Sequence, residues 1–134
     1  MHEWEPIVVF DRDVKASELN KLAKNFFGDL VVNGNLLLDE DLQLNCNLYI
    51  KNISCDNFLG YKSLRINGAL FCNMVDVSNI SVQDLYANQI EALKIYVAGD
   101  VECIGKVYAH KIEYIGSIYL KEIGAVESIK SNPS

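Results

Sequence analysis

Threonine is absent from these 134 residues, and histidine occurs only at His2 and His110. The first absence excludes an ice-binding surface built from ranks of threonine. The second leaves few groups that titrate near neutral pH, and a lone histidine beside Lys111 reads as a solvated corner residue rather than a general base. No GxSxG, HExxH, Walker-type phosphate loop or dinucleotide fingerprint is present. The four cysteines, Cys46, Cys55, Cys72 and Cys103, include no CxxC pair. In a reducing compartment that spacing argues against disulfides and against a zinc site, so they read as small buried hydrophobes. The acidic run Asp39-Glu40-Asp41 lacks the remaining ligands of a calcium loop and is expected to be a solvated turn. No catalytic residue, cofactor or metal is expected, and the chain is not expected to be an enzyme.

Long apolar runs are also missing, and the opening "MHEWEPIVVF" has no basic n-region followed by an apolar stretch. Neither a membrane span nor a signal peptide is expected, which points to a cytoplasmic protein. Basic residues are outnumbered, with 12 Lys and Arg against 18 Asp and Glu and a net charge of −6. Phosphate backbones are bound by releasing counterions to Lys and Arg, so nucleic acid is excluded as a partner and a basic protein is favoured.

Apolar residues make up 50% of the chain, enough for one domain with a real core. "IVVF" at 7–10 reads as a strand. "DVKASELNKLAKNFF" reads as an amphipathic helix, with Leu19, Leu22, Ala23 and Phe26 on one face, Asp13 or Ser17 as its N-cap and Gly28 as its stop. From Leu30 onward the helical period gives way to apolar–any–apolar triplets five or six residues apart. They begin with Leu30-Val31-Val32, Leu36-Leu37-Leu38 and Leu42-Gln43-Leu44, and run on to Ile118-Tyr119-Leu120.

A triplet is too short for an ordinary strand but suits one side of a narrow coil, its first and third residues pointing inward. Three such sides make a coil of roughly 17 residues, a repeat that stacks into a solenoid. "LVVNGNL" at 30–36 and "LRINGAL" at 64–70 would then lie two coils apart, with Gly34, Gly68, Gly105 and Gly116 turning corners at positive φ. An antiparallel barrel or sandwich also uses short strands, but with turns every ~8–12 residues. A leucine-rich repeat would require a period of ~20–29 residues. The expected fold class is therefore all-β: a three-sided parallel β-helix of about six coils, with an N-terminal strand and capping α-helix. Residues 1–28 form that strand and helix, 29–127 the solenoid, and 128–134 a flexible tail.

Units such as "GDLVVNG", "GALFC" and "GDVECIG" resemble those of the bactofilin, or polymer-forming, β-solenoid family over about residues 28 to 127. The resemblance implies a right-handed β-helix and filament formation. The N-terminal helix departs from it, because a cap over the first coil opposes head-to-tail growth there.

Counting "NFLGYKS" as one side of a coil places Leu37, Ser54, Phe71, Tyr86, Glu102 and Tyr119 on one face. A second face then carries Gln43, Asp76, Glu91 and Tyr108, and a third Val31, Tyr49, Arg65, Ser81, Tyr96 and Glu113. Exposed aromatics ringed by carboxylates match the anchors of a protein interface. Phe71, Tyr86 and Tyr119 are the candidate anchors, with Asp76, Glu91, Glu102 and Glu113 as the acidic complement. Small, acidic and without catalytic groups, the chain resembles in overall character the immunity proteins of bacterial toxin systems. That resemblance implies a monomer or small oligomer that neutralises a basic, nuclease-type toxin domain by charge steering and burial of aromatic anchors. The alternative is a bactofilin-like scaffold that associates through its coil ends into filaments.

Overall fold

The computed structural model describes residues 7–22, 26–55 and 62–131. The chain opens with β1 (Ile7–Phe10), β2 (Val14–Lys15) and α1 (Ala16–Leu22), followed by β3 (Asp29–Leu38), β4 (Leu42–Leu44) and β5 (Asn47–Cys55). Four long strands complete it: β6 (Ser63–Asp76), β7 (Asn79–Val97), β8 (Val101–Tyr114) and β9 (Ile118–Ser131). Every pairing is parallel, and the main ladder runs β1-β3-β5-β6-β7-β8-β9 in chain order. Neighbours in sequence become parallel neighbours in space only if the chain winds continuously, so the fold is a β-solenoid of about six turns.

The length of β7, 19 residues, follows from the same winding. Its start and end lie in successive layers, because the Lys94 amide donates to the Ser78 carbonyl and the Ala98 amide to that of Val82. The triplets sort into three sides. Side A stacks Val9, Val31, Tyr49, Phe71, Tyr86, Glu102 and Tyr119 as its outward column. Side B stacks Lys15, Leu37, Ser54, Asp76, Glu91 and Tyr108. Side C stacks Gln43, Arg65 and Ser81, then Tyr96, Glu113 and Lys130.

Residues flanking the outward positions point inward and form the core, as with the buried Leu48 and Ile50 on side A, Leu36 and Leu38 on side B, and Leu64 and Ile66 on side C. Each such Leu or Ile contributes about 1.5–3 kcal/mol by leaving water, so the core is a column of layers rather than one central cluster. Cys46 and Cys103 are buried within it, Cys55 and Cys72 partly so, and none of the four is in a disulfide. Burial pushes the Cys72 thiol up to about 12 and the Cys46 thiol up to about 11, which makes both poor nucleophiles.

Several expectations are revised. The helix spans Ala16–Leu22 rather than the whole of 13–27. Ala23 lies outside the described residues, as does His2. Leu30 pairs with Leu48 on side A, whereas Leu64 pairs with Leu42 and Ile80 on side C, so the two similar phrases turn different corners. The corner glycines do not supply positive φ, because no described glycine adopts it. They are required by close approach of adjacent coils: a Cβ on Gly68 would stand 2.7 Å from the Cys46 carbonyl oxygen. At the C-terminus, β9 keeps pairing with β8 through Lys130 and Ser131, past the boundary expected at 127.

The two ends differ. At the N-terminal end, α1 takes the place of a strand on side C of the opening coil and covers β4, with Leu19 wholly buried. Asp39 anchors it by accepting the Ser17 amide (3.0 Å) and hydroxyl (2.6 Å), while Asn20 donates to the Glu40 carboxylate and the Asp41 carbonyl. The acidic turn thus docks the helix instead of being merely solvated. At the other end β9 pairs on one edge only among the described residues, and Ile123 and Ile129 are 56% and 43% exposed.

Candidate protein-binding surface

Strands in a parallel sheet lie ~4.8 Å apart, close to the spacing at which flat rings stack. Side A uses that match. Tyr49 and Phe71 stack with centroids 4.6 Å apart and planes 2° from parallel, and Phe71 and Tyr86 follow at 4.9 Å and 11°. The outer edge of this three-ring ladder is open to solvent, Tyr49 being 37% exposed. Glu102 continues the column, and Tyr119 ends it at 56% exposure. A shallow hollow of about 280 Å³ beside the ladder is lined by Phe71, Tyr86, Asn88, Glu102 and Ile104. Burial, and then the negative field of Asp84, Asp100 and Glu102, raises the Tyr86 phenol pKa.

The corners hold this surface rigid. Where sides A and B meet, Asn35, Asn52, Asn73 and Asn88 form an amide ladder across four coils. Asn52 donates to Asn35 (3.0 Å), Asn73 to Asn52 (3.1 Å) and Asn88 to Asn73 (2.8 Å). Where sides C and A meet, short polar side chains accept amides from the following coil. Asn47 accepts from Ala69, Asp84 from Asp100, and Asp100 from both the amide and hydroxyl of Ser117. These last two bonds hold the Asp100 carboxyl below its ordinary range. Backbone groups that a corner removes from the sheet ladder are thereby satisfied.

Beyond the asparagine edge, side B is acidic. A groove of about 320 Å³ is lined by Asp76, Glu91, Tyr108, His110 and Glu127, with His110 and Glu127 paired at 2.6 Å. Side C differs in sign. Arg65, Lys94 and Lys111 line a hollow of about 290 Å³ there, and Glu113 pairs with Lys111 at 2.8 Å.

The candidate residues read from sequence therefore occupy three sides. Phe71, Tyr86, Glu102 and Tyr119 share side A, Asp76 and Glu91 lie on side B across the asparagine edge, and Glu113 lies apart on side C within a basic cluster. Tyr49 was missed as a ladder member. Residues 57–61 of "NFLGYKS" lie outside the described residues, and the described ladder passes from side B at Ser54 to side C at Leu64. Counting that stretch as a side rotates every earlier triplet by one face. The signal was the spacing: β5 to β6 is offset by 22 residues, whereas the later coils are offset by 15 to 17. No helix among the described residues is long and apolar enough to cross a membrane. Comparison with protein-family models, with curated proteins and with solved structures finds no match.

Proposed function

We propose that the chain is a non-catalytic binding module that grips a basic partner protein along the edge between sides A and B, in the manner of an immunity protein neutralising a nuclease-type toxin domain. The observation that carries this reading is the open Tyr49-Phe71-Tyr86 ladder, a preorganised aromatic anchor with carboxylates on both flanks. Stacked rings on a rigid coil lose little side-chain entropy on binding, and Asp76, Glu91 and Glu102 supply the steering charge. The test is protection of cells that express a basic nuclease domain encoded beside this chain. Wild type protects, and the Tyr49→Ala/Tyr86→Ala pair loses at least tenfold in affinity while remaining folded. Full protection by that double variant would sink the reading.

A second reading, a self-associating scaffold, is favoured by the last coil. Its 14-residue edge is unpaired among the described residues, and its core positions Ile123 and Ile129 face water. Among the described residues the helical N-terminal end has no strand on side C to receive this edge, so pairing between two C-terminal coils fits better than head-to-tail stacking.

A further inference from the structure

Side C lacks one rung of its outward column. Ser81 stands between Arg65, its partner in the preceding coil, and Tyr96 in the following one. Two strand spacings separate those longer side chains, roughly 9.6 Å. On side A the same two steps hold three rings, the middle one 4.6 and 4.9 Å from its neighbours. The backbone spacing across Ser81 therefore matches the thickness of one flat ring between two others. Two hollows, each of about 290 Å³, share Arg65, Ser81 and Tyr96 as lining.

Charge gives the gap a direction. Lys94 and Lys111 border its hollow on one flank, and the only carboxylate lining that hollow among the described residues is Glu113, whose pKa is lowered chiefly by its hydrogen bond from Lys111. Arg65 and Lys94 form no ion pair among the described residues. In a chain of net charge −6, this leaves a local excess of positive charge beside a slot of ring thickness. A guanidinium and a phenol ring both stack well on flat π-systems.

We propose that the vacant rung at Ser81 binds a small planar ligand bearing an anionic group, its ring between Arg65 and Tyr96 and its carboxylate or phosphate toward Lys94 and Lys111. The site is separate from the surface proposed for a partner protein, and neither depends on the other.

Calorimetric titration of the full chain with 2-naphthoate and with adenosine 5′-monophosphate tests the site and distinguishes carboxylate from phosphate. Adenosine and inorganic phosphate serve as the ring-only and anion-only controls. At least one ring-bearing anion should bind with a Kd below about 1 mM, at least tenfold tighter than either control. Ser81→Tyr, which fills the rung with the protein's own ring, should abolish that binding. Lys94→Ala should weaken it severalfold, and Glu113→Gln, which removes the competing carboxylate, should tighten it. Failure of both ring-bearing probes to saturate would overturn the proposal, as would phosphate binding as tightly as they do. Unchanged affinity in a folded Ser81→Tyr protein would also overturn it. Should that variant not fold, unchanged affinity in Arg65→Met is the equivalent negative result.

Discussion

Tyr49 and Phe71 lie 22 residues apart in sequence, yet their rings are parallel to within 2° at 4.6 Å. Side A keeps its register across this 22-residue step as it does across the 15-residue step to Tyr86. Phe71 is the middle rung and stacks on both sides, whereas Tyr49 and Tyr86 stack on one described ring each. An aromatic pair contributes about 0.5–1.5 kcal/mol beyond burial. Phe71→Ala should therefore destabilise the fold by about 2–3 kcal/mol, clearly more than Tyr49→Ala. Urea unfolding of the two variants checks the order, and equal losses would mean that the stack contributes little.

Asn52 occupies one of the two inner places in the asparagine edge, donating to Asn35 and accepting from Asn73. Asn88 only donates within the ladder. Each amide bond at this exposed edge is worth about 0.5–1 kcal/mol. Asn52→Ala should lower stability by about twice as much as Asn88→Ala, and chemical denaturation of both measures the ratio. A larger loss for Asn88 would show that the amides act singly rather than as a ladder.

Glycine roles separate by what stands against a new Cβ. At Gly68 the obstacles are the carbonyl oxygen and carbon of Cys46, at 2.7 and 2.9 Å, and backbone cannot swing aside. At Gly124 the obstacle is the ring edge of Tyr108, with Cε1 at 2.6 Å, a side chain that is 37% exposed and so can give way more readily than backbone. Gly68→Ala should cost about 2 kcal/mol or more, and Gly124→Ala much less. Thermal melts of the two proteins decide the point. Similar melting temperatures would overturn the close-approach account of the corner glycines.

The architecture was legible because triplet spacing is a direct consequence of a narrow three-sided coil. Val31, Tyr49 and Phe71 show where legibility stopped. Alternation along each triplet identified them as outward residues, but which side they share depends on counting coils, and the step from β5 to β6 spans 22 residues where the later ones span 15 to 17. The helix presents the same limit: its apolar face was visible in Leu19, whereas its anchor, Asp39, lies 22 residues from Ser17 and carries no local sign of that role. On side C, the slot at Ser81 is defined by the two coils flanking it and has no signature in its own segment.

Acid should loosen the Asp39 anchor. Hydrogen bonds from Ser17 hold the Asp39 carboxyl below its ordinary value of 3.8. A pKa that is lower folded than unfolded contributes stability that is fully present above the unfolded value and is lost as pH falls through the folded one. Asp39→Ala should cost about 1–2 kcal/mol at neutral pH by freeing the first turn of α1. The difference between wild type and variant should shrink as pH drops below about 4. Denaturation midpoints from pH 7 down to pH 3 provide the check, and a gap that stays constant would remove Asp39 as the titrating anchor.

The open end makes the last prediction. Ile123 fills a core position in β9 yet is 56% exposed, and the strand has no partner on its outer edge among the described residues. Apolar core positions on an unpaired strand drive association, and a charge there opposes it. Light scattering of the wild-type chain should show a mass that rises with concentration toward a dimer, closing at two copies if the C-terminal coils meet each other. Ile123→Lys should restore a monomer without loss of the partner-binding side, because Ile123 lies three coils from Phe71. Growth into filaments would instead require the helical end to accept a coil, and a monomer at every concentration would remove self-association from the functions of this fold.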